Sequence, residues 1–393
     1  MRAPLFLLRI NGERLPEWMR RRCTQFEYEG IADKMNRVQL KFKNTDLKLL
    51  DNELLDEEKG NLLRFQFGYA DGQLTKPKEY VIQANEGLKQ ITITAFQQKS
   101  KMSSQSRTTT YEQVKRSDVA IQAAKRNGLA YQVEDTGVVF SQIVQSNETD
   151  NKFLKQMADK IGFEYYVENE TLHFHSKDFG LKPVRKYKYY PNDDERAKAK
   201  LRDITPKARN VSKPSQTTKK GFDPYEGKEY EAKSNKDNVE RTTAGEGTYL
   251  YNPESGNESY IPGKVETSEH PKQAQAKEET DGEFKKTEEK TVTADGDFEG
   301  DPAVLEKQLI EINNLGKKYS GLYRVKRARH IITAGSGVAY SMRLDLSKNA
   351  YHKGGKDTGA KVNKKKAPEE GEPQKTKMYV YNPDTGEESV KYV

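Results

Sequence analysis

Two of the five histidines have a spacing that could bind a metal ion. His173 and His175 lie two residues apart in a segment that alternates like a β-strand, so both side chains would face the same side. Imidazole nitrogens placed in this way can bind zinc or another transition metal, but the sequence shows no third ligand. Metal binding is the alternative to a partly exposed pair on a hairpin. We predict the pair, with no metal and no other cofactor.

Other patterns that accompany catalysis are weak or absent. His330 lies where a strand pattern passes from polar to apolar residues, and we predict a structural role. Gly335-Ser336-Gly337 precedes a strand pattern, so a turn fits better than a phosphate loop at a helix N-terminus. The sequence contains no GxSxG, HExxH, GxxxxGK[ST] or GxGxxG motif. We therefore predict no catalytic residues and no enzymatic activity.

Composition narrows the remaining classes of function. The chain has 393 residues, of which 33% are hydrophobic, well below the roughly 45–50% of ordinary globular chains. Part of the chain therefore cannot pack into a core, and we expect two or three modules separated by polar segments. The single cysteine, Cys23, excludes an internal disulfide and a cysteine-based zinc site.

Membrane insertion and nucleic-acid binding are both disfavoured. The longest strongly apolar run, Leu5 to Leu8, is too short for a signal peptide or a membrane span, and we expect a soluble chain made in the cytoplasm. The 68 basic residues exceed the 60 acidic ones by only 8. This near balance permits a nucleic-acid or acidic partner but does not favour one.

The elements that position these residues begin with strands. Apolar and polar residues alternate around Val38 to Phe42, Phe65 to Tyr69, Tyr80 to Ile82 and Ile91 to Ala95. Strands of this kind without long intervening helices predict an antiparallel sandwich or small barrel over residues 1–104.

A small α+β module is predicted over residues 105–185. Ser117 can cap a helix that ends near Gly128, and Thr149 or Asp150 can cap a second helix that ends at Gly162. Two strands around residues 168–170 then form a hairpin.

A second β-rich domain is predicted over residues 186–350, interrupted by a polar stretch at 206–300. Only nine of the 95 residues in that stretch are Ile, Leu, Val, Phe or Met, so it reads as an insertion, an extension or a flexible loop. Strand patterns resume at Leu309 to Ile312, Tyr319 to Ile332 and Val338 to Leu346. Residues 351–393 read as a polar linker and a hairpin.

One sequence pattern occurs twice, 130 residues apart. Tyr-x-Tyr-Asn-Pro followed by Gly, Glu and Ser predicts a β-hairpin in each copy, because Asn-Pro and the later Gly are turn residues. A surface that docks a neighbouring subunit by strand pairing and two independent surface hairpins are both open. The predicted partner contacts are Tyr249, Tyr251, Asn252, Pro253, Tyr379, Tyr381, Asn382 and Pro383.

The order of several segments resembles a known family. Lys115 to Ala120 leading to Asn127-Gly128-Leu129 resembles its "SDV…IA…GL" helix, and Gln145 to Gly162-Phe163 resembles its "Q.NESD..FL..LA…G" segment. Gly321 to Val325 with His330, and then Tyr340 to Leu344 with Asn349-Ala350, resemble its later strands. The family is the late control protein D group, the baseplate hub proteins of contractile phage tails, whose fold the N-terminal part of type VI secretion spike proteins shares.

The resemblance covers about residues 1–205 and 300–350, and it has definite implications. It implies a mainly β chain with two related β-barrel domains and a small α+β module. Three chains would form a pseudo-hexameric ring between a trimeric spike and the sixfold tail tube. The implied partners are a homotrimer, the tail spike, the tail tube and other baseplate proteins, with passage of DNA through the channel and no stable membrane association. The implied location is the baseplate of the virion tail.

Three other functions remain as alternatives. Within the same family, the chain could be the hub or spike component of a non-phage contractile injection system. A tail-associated cell-wall hydrolase would need two carboxylates about 5–10 Å apart, which a chain with 60 acidic residues does not exclude. A nucleic-acid binder would lose affinity steeply with salt.

Overall fold

Four N-terminal strands lie where the alternation predicts them, and four further elements of this region were not predicted. In this computed structural model the structure describes residues 2–97, 102, 105–168, 170–177, 182–196, 198–208, 216–235, 238–239, 241–243, 250–251, 258–259, 262–334, 339–350, 361–363, 377–382 and 385–392. The first group of elements is β1 (Pro4–Ile10), β2 (Glu13–Arg14), α1 (Glu17–Arg20), β3 (Cys23–Ile31), β4 (Arg37–Lys43), β5 (Leu62–Tyr69), β6 (Lys78–Gly87) and β7 (Gln90–Gln97).

The α+β module follows as predicted. Its elements are β8 (Ser106–Lys115), α2 (Arg116–Arg126), β9 (Ala130–Glu134), β10 (Val139–Thr149), α3 (Asp150–Ile161), β11 (Phe163–Glu168) and β12 (Thr171–Ser176). Thr149 caps α3 by accepting a hydrogen bond from the Lys152 N–H, and Gly162 ends the helix at φ +71°. Ser117 does not cap α2, because it lies inside the helix. The Asp118 carboxylate accepts the Lys115 N–H instead.

The chain then returns to the large sheet, with an insertion on the way. These elements are β13 (Pro183–Lys188), α4 (Asp193–Arg196), β14 (Leu201–Ala208), β15 (Gln216–Asp223), β16 (Lys228–Asn235), β17 (Arg241–Thr243), β18 (Leu250–Tyr251), β19 (Glu258–Ser259), β20 (Pro262–Thr267), α5 (Gln273–Glu288), β21 (Val292–Glu299), β22 (Leu309–Asn313), α6 (Gly316–Tyr319), β23 (Gly321–Thr333), β24 (Ala339–Lys348), β25 (Lys361–Asn363), β26 (Lys377–Asn382) and β27 (Glu387–Tyr392).

The first strand group, β1 to β7, and a second strand group, β13, β14 and β21 to β24, form one continuous sheet. The strand order is β14-β21-β24-β23-β3-β4-β7-β6-β5-β1-β2, with β22 joining β23 to β13. The mainly β fold with a small α+β module is therefore confirmed. Among the described strands, the pairings do not close either group into a separate barrel. Instead, β3 joins β23 over Gln25 to Ile31.

Buried side chains tie the two strand groups together. The core of the first group also contains Ile332 from β23 and Tyr340 from β24. The Tyr28 hydroxyl donates to the Glu306 carboxylate at 3.1 Å, and the Tyr69 hydroxyl donates to the Gly300 carbonyl at 2.6 Å. Burying aromatic side chains of this size stabilises the fold by roughly 1.5–3 kcal/mol each.

Part of the polar stretch 206–300 is a folded subdomain. A three-stranded sheet of order β16-β15-β20 packs against α5, and α5 in turn packs against α3 of the module. The core of this subdomain is small, with Ala232, Val239, Ala276 and Phe284 as its buried apolar residues among those described. Helices α3 and α5 approach closely at Gly282, where a Cβ atom would lie 2.4 Å from the Ile161 carbonyl carbon.

Candidate interaction surface

The C-terminal hairpin extends the sheet of the α+β module. Strand β26 pairs antiparallel with β27 and, on its other side, with β9, with Tyr381 opposite Tyr131. The Gly386 N–H donates to the Asn382 carbonyl at 2.9 Å, and Gly386 has φ +69°, a backbone region that favours glycine. The hairpin predicted from Tyr-Asn-Pro is thus present, and its first strand lies on an otherwise open sheet edge.

Two side chains of the hairpin hold this edge. The Tyr381 ring stacks on the Tyr131 ring with centroids 5.5 Å apart. The Tyr131 hydroxyl donates to Glu388 Oε1 at 2.9 Å, and Lys125 Nζ lies 2.7 Å from the same oxygen. Lys125 and Tyr131 lower the pKa of Glu388, so its carboxylate stays charged. Burial, followed by the nearby Glu388, raises the pKa of Tyr131, so its hydroxyl remains a donor.

The predicted contact residues occupy different settings. Tyr379 and Tyr381 are partly buried against the module core, and Asn382 is exposed at the turn. Strands β18 and β19 pair as the first predicted hairpin, with Tyr251 opposite Glu258. Tyr249, Asn252, Pro253 and Pro383 lie outside the described residues. The second hairpin contacts its own chain here, and contact with a neighbouring subunit stays a prediction.

The histidine pair lies in a small aromatic group. The His173 ring stacks on Tyr166 with centroids 4.5 Å apart, and His175 meets both rings edge-on. Burial, followed by the nearby His175, lowers the pKa of His173 to about 4, so the ring is neutral at physiological pH. Within the described ranges, no group of three or more His, Cys, Asp or Glu side chains could hold a metal ion.

The insertion docks on the module through buried charges. Arg116 Nη2 lies 2.8 Å from Glu279 Oε1, and its Nε lies 3.2 Å from Glu278 Oε2. Glu279 also contacts His270 Nε2 at 2.9 Å and Lys219 Nζ at 3.4 Å. Burial raises the pKa of Glu278 to about 7. His270 and Arg116 outweigh burial at Glu279 and lower its pKa below the ordinary value.

An open cleft of about 810 Å³ lies where the module, α5 and the large sheet meet. Lys177 and Lys326 both pair with Glu289 on its wall, and these two lysines lower the pKa of Glu289 to about 2 despite its burial. Burial, together with Lys177 and Lys155, lowers the pKa of Lys286. The cationic lining residues are Lys34, Lys155, Lys177, Lys286, Lys290, Lys326 and Arg327, against the acidic Asp33, Asp159, Glu289, Asp295 and Asp345.

Motif searching by sequence missed a third hairpin of the same type. Residues 222–230 read Phe-Asp-Pro-Tyr-Glu-Gly-Lys-Glu-Tyr, which keeps the Pro, Gly and Glu of the two repeats and has Phe in place of Tyr and Asp in place of Asn. Strands β15 and β16 form this hairpin, with Phe222 opposite Glu229. The pattern aromatic-Asx-Pro-x-x-Gly-x-Glu would have identified all three hairpins. It requires the turn residues and the glutamate but allows any aromatic residue at the first position.

The large sheet, the module and their connection define a class of fold found in phage tail proteins. A tail protein from Neisseria meningitidis MC58 superposes with a TM-score of 0.60 at 11% identity, over 88% of this chain and 97% of that one. The 43 kDa tail protein of prophage MuSo2 from Shewanella oneidensis gives a TM-score of 0.61 at 12% identity, over 88% and 99%. These similarities confirm the tail-protein fold expected from the resemblance.

The family follows from sequence. The model of the Alg8 N-terminal domain family matches residues 44–334, more than half of the chain, and the chain belongs to that family. No curated protein matches the chain in sequence. Among the described residues, no helix is long and apolar enough to cross a membrane.

Proposed function

We propose that the chain is the structural baseplate hub of a contractile phage tail. In this role it joins a trimeric spike to the sixfold tail tube, nucleates tube assembly and surrounds a channel that lets DNA pass. The observation that carries the proposal is the continuous sheet in which two strand groups of one chain join at β3 and β23. Three chains with two such groups each supply six similar surfaces, which is how a threefold partner can meet a sixfold one.

The proposed work is mechanical and involves no catalysis. The histidines that could do chemistry are used otherwise, since His330 is fully buried and hydrogen bonded and His173 is stacked on a tyrosine. The solved structures of similar fold are described as tail proteins. The proposed partners are two further copies of the chain, the tail spike, the tube protein and other baseplate proteins, and the proposed location is the virion tail.

The native mass of the purified chain tests the proposal. Light scattering or native mass spectrometry over a range of protein and salt concentrations should give a trimer of three times 45.0 kDa. The proposed spike is added in a second series, because the ring could require a template. A chain that stays monomeric in both series, or one that forms a stable hexamer alone, contradicts the hub function.

A non-phage contractile injection system is the second candidate, because the same fold and symmetry would serve it. Imaging the particle that contains the chain distinguishes the two, since only a phage tail carries a capsid. A cell-wall hydrolase is tested by adding purified protein to labelled peptidoglycan, and we expect no clearing.

A further inference from the structure

The insertion hairpin β15–β16 and the C-terminal hairpin β26–β27 have the same construction. In each, the glycine of the turn donates its N–H to the Asx carbonyl at 2.9 Å, Gly227 to Asp223 and Gly386 to Asn382. Both glycines have positive φ, +65° and +69°. The register is also the same, so the aromatic residue of the first strand faces the glutamate of the second. Directly opposed residues in a β-ladder share one face, so each hairpin presents an aromatic–glutamate pair.

The two pairs differ in what they touch. In the C-terminal hairpin, Tyr381 stacks on Tyr131 and Glu388 accepts from Tyr131 and pairs with Lys125. In the insertion hairpin, Phe222 is 55% exposed and Glu229 is exposed. Within the described part of the chain, neither has a ring, hydrogen-bond or ion-pair partner through its side chain. Aromatic residues are enriched at protein contact sites, and a carboxylate beside the ring favours a partner that presents a cation there.

The backbone beside this pair is also open. Strand β15 pairs with β20 only as far as Lys220, which leaves the edge of Gly221 to Asp223 without a strand partner among the described residues. The corresponding residues of the C-terminal hairpin include Val380 and Tyr381, which pair with Gln132 and Tyr131. The insertion hairpin is anchored elsewhere, because the Tyr230 hydroxyl donates to Ser268 at 2.9 Å. At its tip, the face that corresponds to the β9-contacting face of the C-terminal hairpin is therefore still exposed.

We propose that the tip of the β15–β16 hairpin docks on a different protein, through Phe222 and Glu229. The surface it fits is a strand edge that presents a tyrosine ring with a lysine beside it, as Tyr131 and Lys125 do. The C-terminal hairpin fills that edge in this chain, so a second copy in the same conformation has no vacant edge to offer. The partner is therefore a different protein and not a second copy of this chain. This proposal does not depend on the proposed hub function.

The probe for the test is the full chain with its own edge opened. Val380→Pro removes the N–H that β26 directs toward Ser389 of β27, which breaks the hairpin and should thereby release it from β9. Wild-type protein should then bind the V380P protein in biolayer interferometry. Phe222→Ala in the wild-type partner should weaken binding at least tenfold and Glu229→Gln severalfold. Glu226→Gln, in the same turn but outside the pair, serves as the control and should bind as wild type does.

A peptide of residues 377–393 serves as a positive control, because its binding shows that the opened edge of β9 can accept a strand. If this peptide binds the V380P protein and the wild-type chain does not, or if F222A binds as tightly as wild type, the proposal is wrong. Self-association of the wild-type protein that F222A abolishes would also overturn the proposal, because the partner would then be a second copy of this chain.

A second measurement applies whether or not the V380P protein folds. Residues 381–389 of the full chain are replaced by the sequence of residues 222–230, and hydrogen exchange is measured for the β9 amides. The grafted hairpin should keep their protection, and the same graft with Ala in place of its leading Phe should lose it. Loss of protection in the first graft overturns the proposal, because the two tips would then not be equivalent.

Discussion

His330 shows how one buried side chain can stabilise the junction of the two strand groups. Its Nε2 lies 2.9 Å from the Val304 carbonyl, which can only accept, so Nε2 carries the proton and Nδ1 accepts from the Tyr340 hydroxyl at 2.9 Å. This neutral form satisfies both ring nitrogens. Burial lowers the pKa of His330 to about 4, because a charged imidazole has no solvation there.

The first prediction concerns acid stability. In the unfolded chain His330 binds a proton near pH 6.5, whereas in the folded protein it does so only near pH 4. The free energy of unfolding should therefore fall as the pH drops through this window. The loss of unfolding free energy caused by His330 over this window is on the order of 3 kcal/mol. The His330→Gln protein should be less stable than wild type at pH 7. Its melting temperature should fall less than that of wild type between pH 7 and pH 4.5. Equal losses in both proteins would contradict this explanation.

The second prediction uses two neighbouring glutamates with opposite pKa shifts. Folded Glu278 binds its proton near pH 7 and unfolded Glu278 near 4.5, so its ionisation destabilises the fold as pH rises through that window. Glu278→Gln should therefore raise the melting temperature at pH 8 and change it little at pH 4.5. Glu279→Gln is the matched control and should lower it at pH 8, because Arg116 and His270 stabilise the Glu279 carboxylate.

At the scale of elements, α5 is the main structure that the apolar count did not predict. Residues 273–288 contain Ala, Gln, Glu and Lys in quantity and no proline, which favours a helix by propensity. Their buried face is largely polar, with Gln275, Glu279, Thr280 and Glu288. A method that looks for an apolar stripe cannot find such a helix, because ion pairs with the module replace apolar packing.

The third prediction tests the contact between α3 and α5. Gly282→Ala places a methyl group about 2.4–2.6 Å from the backbone of Lys160 and Ile161, and these atoms cannot rotate away. Alanine favours a helix over glycine by roughly 1 kcal/mol, so any loss of stability must come from this contact. We expect faster hydrogen exchange in β15, β16 and α5. Unchanged or slower exchange there would mean that the two helices do not pack closely in solution.

Strand periodicity predicted β4 to β7, β11, β12 and β22 to β24, for a definite reason. Residues such as Leu40, Phe67 and Leu344 alternate with polar neighbours because one face of each strand is buried, and each is fully buried. The joining of β3 to β23 could not be read in the same way. Pairing between strands about 300 residues apart leaves no local pattern, since either edge would accept a strand of suitable alternation.

At the scale of the whole molecule, the continuous sheet predicts cooperative unfolding. Ion pairs reinforce the joint, with Arg329 Nε 2.6 Å from the buried Glu27 and Arg327 contacting the buried Glu29 at 3.4 Å. Two domains linked only by a connection would unfold separately, whereas strands of one sheet with a shared core should open together.

The fourth prediction is therefore a common free energy of opening for β4 and β24. Native-state hydrogen exchange should give the same value for both strands within error, and amides of β15 and β16 should exchange at lower free energy. Glu27→Ala should lower the shared value in both strands, because it leaves Arg329 without its carboxylate partner. Separate values for β4 and β24, or an effect of Glu27→Ala confined to β3 and β4, would show two independent units.

The pairing of β3 with β23 also has a consequence for synthesis of the chain. Residues 25–31 cannot complete their pairing until residues 327–333 have been synthesised. A ribosome that adds roughly 5–20 residues per second needs on the order of half a minute to reach them. During that time Phe26 and Tyr28 lie on a strand that has β4 on one side and no neighbour on the other, which is the situation that molecular chaperones relieve. Slow translation or chaperone depletion should therefore reduce the yield of soluble protein, even though the finished fold is unaltered.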